Sequence, residues 1–126
     1  MNDLRDAIET SVQLRLFPSI KRATDALVFG NKFKKLSISQ CKHMDNFNPA
    51  RLSDNPYPKN DRPRGSRDIE SVRYHRNRLR TVGETSPIWV YYDKVKRQYT
   101  LLDGAHRIVA TYLEGKRTIP AFVVTV

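Results

Sequence analysis

The sequence predicts an α+β protein in which a small mixed sheet carries helices and follows an N-terminal helical hairpin. Apolar residues recur at helical spacing in two segments before residue 31, and a β-hairpin pattern occupies residues 87–102. A further strand runs through a glycine directly into a helix near residue 104. The chain has 126 residues, enough for one hydrophobic core. We therefore expect an N-terminal hairpin, residues 1–31, packed on a domain formed by residues 32–126.

The N-terminal segment predicts two helices. Residues 2–16 carry a mainly apolar stripe, and the Phe17-Pro18 pair ends it. Ser19 is well placed to cap a second helix, which ends at Gly30. Nothing in this pair suggests catalysis, so we expect it to pack on the sheet or to mediate homo-oligomer formation.

Alternating residues predict a first strand near residues 36–43, which includes Cys41, the only cysteine. A single cysteine excludes an intrachain disulfide and a cysteine-based metal site, and we expect a buried, inert thiol. Residues 45–65 are rich in Pro, Asn and Gly and predict a long loop of the kind that often carries function. The cluster just before the strand is predicted to be a solvated edge: Lys32, Lys34 and Lys35.

The next helix is predicted to begin at Ser66, with Asp68 in its first turn, and to bury a narrow seam that includes Val72 and Leu79. Its other face is basic, and the planar guanidinium group favours contact with phosphate. The alternative is a face that only keeps the protein in solution. The candidate nucleic-acid-binding residues are Arg62, Arg64, Arg67, Arg73, Arg78 and Arg80.

Residues 87–93 and 98–102 predict a β-hairpin, and residues 119–126 predict the last strand. Within the hairpin, Trp89 and Tyr91 point to one face. Aromatic residues beside basic ones can stack on bases, but in a small sheet we expect a helix to cover them.

The segment around Gly104 predicts a strand, a sharp turn and a helix that starts at Ala105. A helix start leaves backbone N–H groups unpaired, and the helix dipole attracts anions there. Arg107 lies in the first turn, where a cation is disfavoured, so a phosphate partner would explain it. The alternative is an ordinary turn that Asp103 stabilises and that binds no anion. Asp103 and His106 are the acid–base candidates at this turn.

Other chemistry is sparse. The three histidines have no metal-ligand spacing, so no metal site is expected, and no Walker-type loop or Gly-x-Ser-x-Gly motif occurs. Asp61, Asp68 and Glu84 can join the turn only through folding.

The charge of the chain indicates its class of partner. Its formal net charge is +10 with a pI near 10.0, which favours polyanions, most often nucleic acid. No apolar run is long enough to span a bilayer, and the acidic residues near the N-terminus argue against a secretory signal. We therefore expect no membrane partner and a cytoplasmic location, which would be the host cytoplasm for a viral protein.

Residues 104–110 fit the Gly-x-x-Arg-x-x-Ala pattern of the ParB/sulfiredoxin superfamily. Asp103-Gly104-Ala105-His106-Arg107 resembles its Asp-Gly-His-His-Arg variant, and residues 115–124 resemble its Gly-x-x-x-Ile-Pro segment and closing strand. The resemblance covers roughly residues 36–126 and implies a stand-alone domain of the kind found on phages and mobile elements.

The resemblance also implies chemistry. A nucleotide of the ATP or CTP class, with Mg²⁺, or a phosphate would bind at Gly104, Ala105, His106 and Arg107, and the activity would be that of a nuclease or NTPase. Sulfiredoxins carry their nucleophilic cysteine at the position of Ala105, so thiolate chemistry is not expected here.

Two other functions remain open. One is a nucleotide-dependent small-molecule kinase of the same fold, and the other is a non-enzymatic binding protein that acts on a host or viral complex. The net charge of +10 favours the nucleic-acid hypothesis over the kinase, since a metabolite kinase needs no such charge.

Overall fold

The computed structural model describes residues 3–52 and 65–126, with the side chains of residues 65–67 outside that description. It begins with two helices, α1 (Asp3–Gln13) and α2 (Ile20–Gly30). The side-chain oxygen of Ser19 accepts a hydrogen bond from the backbone N–H of Arg22 at 3.2 Å. Both predicted helices and the serine cap are thus confirmed, although α1 ends at Gln13, before the predicted end at residue 16.

Strand β1 (Asn31–Ser37) follows α2 directly, and a short helix α3 (Ile38–Cys41) comes next. The predicted strand over residues 36–43 is therefore wrong for most of its length. The reason is local, because the Ser37 hydroxyl accepts the backbone N–H of Gln40 at 3.1 Å and caps a helical turn. That turn buries Ile38 and Cys41, three residues apart, and burial raises the pKa of the Cys41 thiol to about 12.

Within the predicted loop, a 3₁₀ turn (Pro49–Arg51) is the one regular element among the described residues, and residues 53–64 lie outside the description. Helix α4 (Gly65–Thr81) begins one residue before the predicted serine cap. The remaining elements are β2 (Ile88–Asp93), β3 (Gln98–Asp103), α5 (Ala105–Leu113) and β4 (Thr118–Thr125).

The four strands form one mixed sheet in the order β1-β4-β2-β3. Strand β4 pairs antiparallel with β1 and parallel with β2, and β2 pairs antiparallel with β3. The parallel pair is connected through β3 and α5. The prediction of an α+β fold with a small mixed sheet is confirmed.

The sheet separates two apolar clusters. One face packs against α3, α4 and α5, with Ile88, Ile108 and Ile119 completely buried. The other face packs against α1 and α2. There Trp89 and Tyr91 are 7% and 8% exposed, so the N-terminal helices cover both rings, as predicted.

None of the helices in the described ranges is long and apolar enough to cross a membrane.

Candidate functional site

The turn between β3 and α5 can be made only by glycine. Gly104 has a φ of +123°, which side chains with a Cβ rarely adopt. A Cβ at this position would also overlap the side chain of Ile88, lying 2.8 Å from its Cβ atom. Strand β2 thus presses on the turn and sets the point at which α5 begins.

Arg107 is a buried cation with acceptors supplied by the protein. Its Nη2 donates to Oδ2 of Asp103 at 2.7 Å, and its Nη1 donates to the carbonyl of Pro87 at 2.7 Å and to Oδ2 of Asp3 at 3.2 Å. A longer contact of 3.4 Å reaches the carbonyl of Ser86, and the side chain is only 5% exposed. These bonds join α1, β3 and the start of β2 to α5, and they account for a cation in the first turn without a phosphate.

Asp103 faces this guanidinium at the end of β3. Burial raises the pKa of the Asp103 carboxyl to about 6, although the positive charge of Arg107 acts in the opposite direction. Asp103 therefore orients Arg107 and titrates in the weakly acidic range.

His106, the other acid–base candidate, meets a carboxylate from α4. Its Nε2 lies 2.7 Å from Oδ1 of Asp68. The Asp68 side chain is 8% exposed and that of His106 is 33% exposed. Asp68 could join the turn only through folding, and the fold brings it there. A buried carboxylate that orients a partly exposed imidazole is a common arrangement for acid–base chemistry.

His75, which the sequence analysis did not single out, also faces this region. Burial lowers the pKa of His75 to about 4, and the positive charge of nearby Arg107 lowers it further. Within the described residues, its Nδ1 is buried without a hydrogen-bond partner. His75 follows Asp68 by seven residues, two helical turns, and that spacing could have revealed it.

A cleft of about 410 Å³ opens in front of the first residue of α5. Ala105 lines it, together with Arg51 and the loop residues Asn46, Phe47 and Asn48. Gly104 has no side chain to cap the helix, so the positive end of the α5 dipole is uncapped by its N-cap residue where Ala105 borders the cleft. The cleft thus combines a positive helix end with a cationic side chain.

Of the six predicted nucleic-acid-binding arginines, the structure describes the side chains of three: Arg73, Arg78 and Arg80. On α4, Nε of Arg76 donates to Oε2 of Glu114 at 2.7 Å, and Arg80 donates to both carboxylate oxygens at 2.6 and 3.0 Å. Arg80 is thus engaged in an ion pair with Glu114.

The other predicted arginines differ in their surroundings. Arg78 has its Nε buried, whereas Arg73 is exposed. Arg62, Arg64 and Asp61 lie outside the described residues, as does the side chain of Arg67.

Glu84 lies elsewhere, in a second pocket, and does not join the turn. In residues 3–52 and 65–126, no group of three His, Cys, Asp or Glu side chains is placed to hold a metal ion. Comparison with known proteins found no significant match to a family model, a curated protein or a solved structure. The turn, the His106–Asp68 pair and the cleft therefore carry the functional interpretation.

Proposed function

We propose that this chain is a nucleic-acid-associated protein that binds a phosphate group, of a nucleotide or of a polymer backbone, at the start of α5. The observation that carries the proposal is the cleft of about 410 Å³ in front of Ala105, with Arg51 on its wall. Backbone N–H groups at a helix start, the helix dipole and a guanidinium together favour a phosphate. The resemblance of residues 103–110 to the ParB/sulfiredoxin motif supports the same location.

In this proposal Arg107 is a positioning residue. Its guanidinium is bonded to Asp103, Asp3 and Pro87, so it holds the turn in place and does not reach the ligand. Gly104 and Ala105 offer the backbone of the helix start. A nucleotide of the ATP or CTP class, with Mg²⁺ as its counter-ion, is the proposed small ligand.

The proposed activity is phosphate-ester hydrolysis, of the nuclease or NTPase class. His106, oriented by Asp68, would accept a proton from the attacking water as its oxygen bonds to phosphorus. The bond from phosphorus to the leaving oxygen breaks, and that oxygen then takes up a proton. The partly exposed imidazole and the buried carboxylate support these roles.

Calorimetric titration with ATP, CTP and inorganic phosphate, each with Mg²⁺, tests the binding site. Arg51→Gln should weaken binding about tenfold or more, the scale for a charged hydrogen bond. Ala105→Glu should abolish binding, because a carboxylate at the mouth repels phosphate while a negative charge in the first turn suits the helix dipole. Arg22→Gln, on the exposed side of α2, is the charge-matched control and should bind as the unaltered protein does.

Unchanged binding in both cleft variants would place the ligand elsewhere. Hydrolysis is tested separately with His106→Gln and Asp68→Asn. Both should reduce turnover while leaving binding intact, and Asp68→Asn should retain more activity because it only orients the imidazole. Full turnover by His106→Gln would remove the proposed acid–base role and leave the binding proposal standing.

A further inference from the structure

Two phenylalanine rings lie in solvent where α2 passes into β1. Phe29 is 83% exposed and Phe33 is 57% exposed. The Phe33 ring meets Phe122 edge-on at 6.1 Å between centroids, and Phe122 in turn lies 4.9 Å from the buried Trp89. Two neighbouring exposed aromatic rings, one of which packs at the edge of the core, indicate a surface that binds a partner.

The same segment is strongly basic. β1 lies at an edge of the sheet, and Lys32, Lys34 and Lys35 are all exposed along it. No ion pair between residues that the structure describes involves these three lysines. We call Phe29, Phe33 and the three lysines the β1 surface, an edge at which Phe33 and Lys35 share one face of the strand and Lys32 and Lys34 the other.

A pocket of about 160 Å³ adjoins the β1 surface at Lys35. Lys116 and Arg117 also line it, against one carboxylate, Glu84. Thr85, on its wall, is 4% exposed, and its hydroxyl oxygen has no hydrogen-bond partner in the described part of the chain. Three cations and an unpaired hydroxyl suit a phosphate group.

We propose that the β1 surface binds single-stranded nucleic acid, with bases stacked on Phe29 and Phe33 and a backbone phosphate in the pocket beside Lys35. Phe33 and Lys35 are two residues apart on a strand, roughly 7 Å, so stacking and phosphate contact fall on one extended chain. Aromatic rings beside a basic track are the usual means of binding unpaired bases without sequence preference.

Two other partners fit less well. A duplex keeps its bases stacked inside, where exposed phenylalanine rings cannot reach them. A second copy that paired along β1 would place one lysine row against another, and like charges across strands are destabilising.

The proposal deepens the nucleic-acid association proposed above but rests on a different surface. Mononucleotide binding should respond to Ala105→Glu and not to changes at Phe29. Binding of single-stranded nucleic acid at the β1 surface should respond to changes at Phe29 and not to Ala105→Glu. Failure of one proposal is therefore distinguishable from failure of the other.

The test is fluorescence anisotropy with labelled oligothymidine, oligouridine and a duplex of equal length, at several salt concentrations. We expect the single strands to bind at least tenfold more tightly than the duplex, and the two single-strand probes show whether DNA or RNA is preferred. Phe29→Ala with Phe33→Ala should weaken single-strand binding about tenfold or more and leave duplex binding unchanged. Phe29→Ala alone should show part of this loss. Because Phe29 is highly exposed, this single change should leave the fold intact.

The charges are tested by changing Lys32, Lys34 and Lys35 together to Gln. The slope of log K against log salt should flatten by up to about two units, at roughly 0.7 per phosphate contact. The control removes three charges from the β2–β3 turn, at the opposite edge of the sheet, and should change the slope far less: Lys94, Lys96 and Arg97 to Gln. Thr85→Val should weaken binding severalfold while preserving stability, because it removes an unpaired buried hydroxyl.

Three results would overturn the proposal. The first is unchanged single-strand binding by the double phenylalanine variant. The second is a dimer in sedimentation that Phe29→Ala dissociates, which would make the surface an interface between copies. The third is capture by anionic phospholipid vesicles in preference to the oligonucleotide, which would make the partner a lipid surface.

Discussion

The two ends of α5 both hold the helix by ion pairs, but in opposite surroundings. At the start, Arg107 is 5% exposed and binds two carboxylates and two carbonyl groups. At the end, Glu114 holds Arg76 and Arg80 of α4, whose side chains are 33% and 61% exposed. The hydrogen bonds at the two ends are similarly short, so distance does not distinguish them.

Burial distinguishes them. At the start, loss of one partner leaves charges and carbonyl groups away from water, and that cost is large. At the end, Arg76 and Arg80 are exposed enough for water and salt to replace the Glu114 carboxylate, which is itself 12% exposed, so the loss of Glu114 costs less. The start of α5 is thus a fixed scaffold for the cleft, whereas its end is an adjustable contact with α4.

Gly104→Val should have the largest effect. Overlap with Ile88 and the positive φ act together, so we expect a loss of roughly 3–5 kcal/mol in the free energy of unfolding. Gly115→Val is the matched control at the other end of α5. Gly115 has a φ of +72° with nothing within 4 Å of a Cβ, so only the conformational cost of about 1–2 kcal/mol remains. Equal losses in urea denaturation would show that Ile88 does not press on the turn.

Arg107→Met should have the next largest effect on the free energy of unfolding. It leaves Asp103 and the carbonyl of Pro87 without their donor, and we expect a loss of roughly 3 kcal/mol. Phosphate binding should fall only as far as the turn itself is disturbed, because Arg107 is not in the cleft. Nucleotide affinity is measured by titration of the Arg107→Met variant and the unaltered protein, at a low temperature at which both are folded. A tenfold loss of affinity with unchanged stability would return Arg107 to the role of a direct ligand.

The pH dependence of stability should reveal two opposing groups, Asp103 before α5 and His75 on α4. The pKa of Asp103 is raised to about 6 in the folded protein, above its unfolded value near 3.9, so its contribution favours folding at low pH and is lost as pH rises from about 4 to 6. The pKa of His75 is lowered to about 4, below its unfolded value near 6.5, so its contribution is lost as pH falls through the same range.

Each single variant should expose the other group. Relative to the unaltered protein, Asp103→Asn should gain stability with rising pH between about 4 and 6, and His75→Gln should lose it, by at most about 1.4 kcal/mol per pH unit. Urea denaturation at several pH values measures both. Parallel curves for the two variants would contradict the assignment.

Glu114→Gln should have the smallest effect. Hydrogen bonds from Arg80 and Arg76 lower the pKa of Glu114, but both arginines can be rehydrated when it is neutralised. We expect a small decrease in melting temperature that largely disappears in about 1 M salt, where screening acts within about 3 Å. A large, salt-independent decrease would mean that the two ends of α5 do not differ as proposed.

By itself, the sequence determined the helices α1, α2 and α5, the β2–β3 hairpin and the glycine turn. These features depend on spacing, capping and backbone freedom within a few residues, so neighbours along the chain are sufficient to specify them. Local patterns can also mislead, as the segment after Ser37 shows. Its residues alternate as in a strand, but the Ser37 side chain accepts the backbone N–H of Gln40 and caps a helical turn.

Only the tertiary structure decided what the charged residues do. Arg107 reaches Asp3, 104 residues away, and His106 reaches Asp68, 38 residues away. Neither partner is implied by local spacing, since burial and long-range charge pairing arise only when α1 and α4 pack around α5. The sequence could therefore mark the turn at Gly104, but it took the packing to make Arg107 a support and to place Arg51 and Ala105 on the cleft.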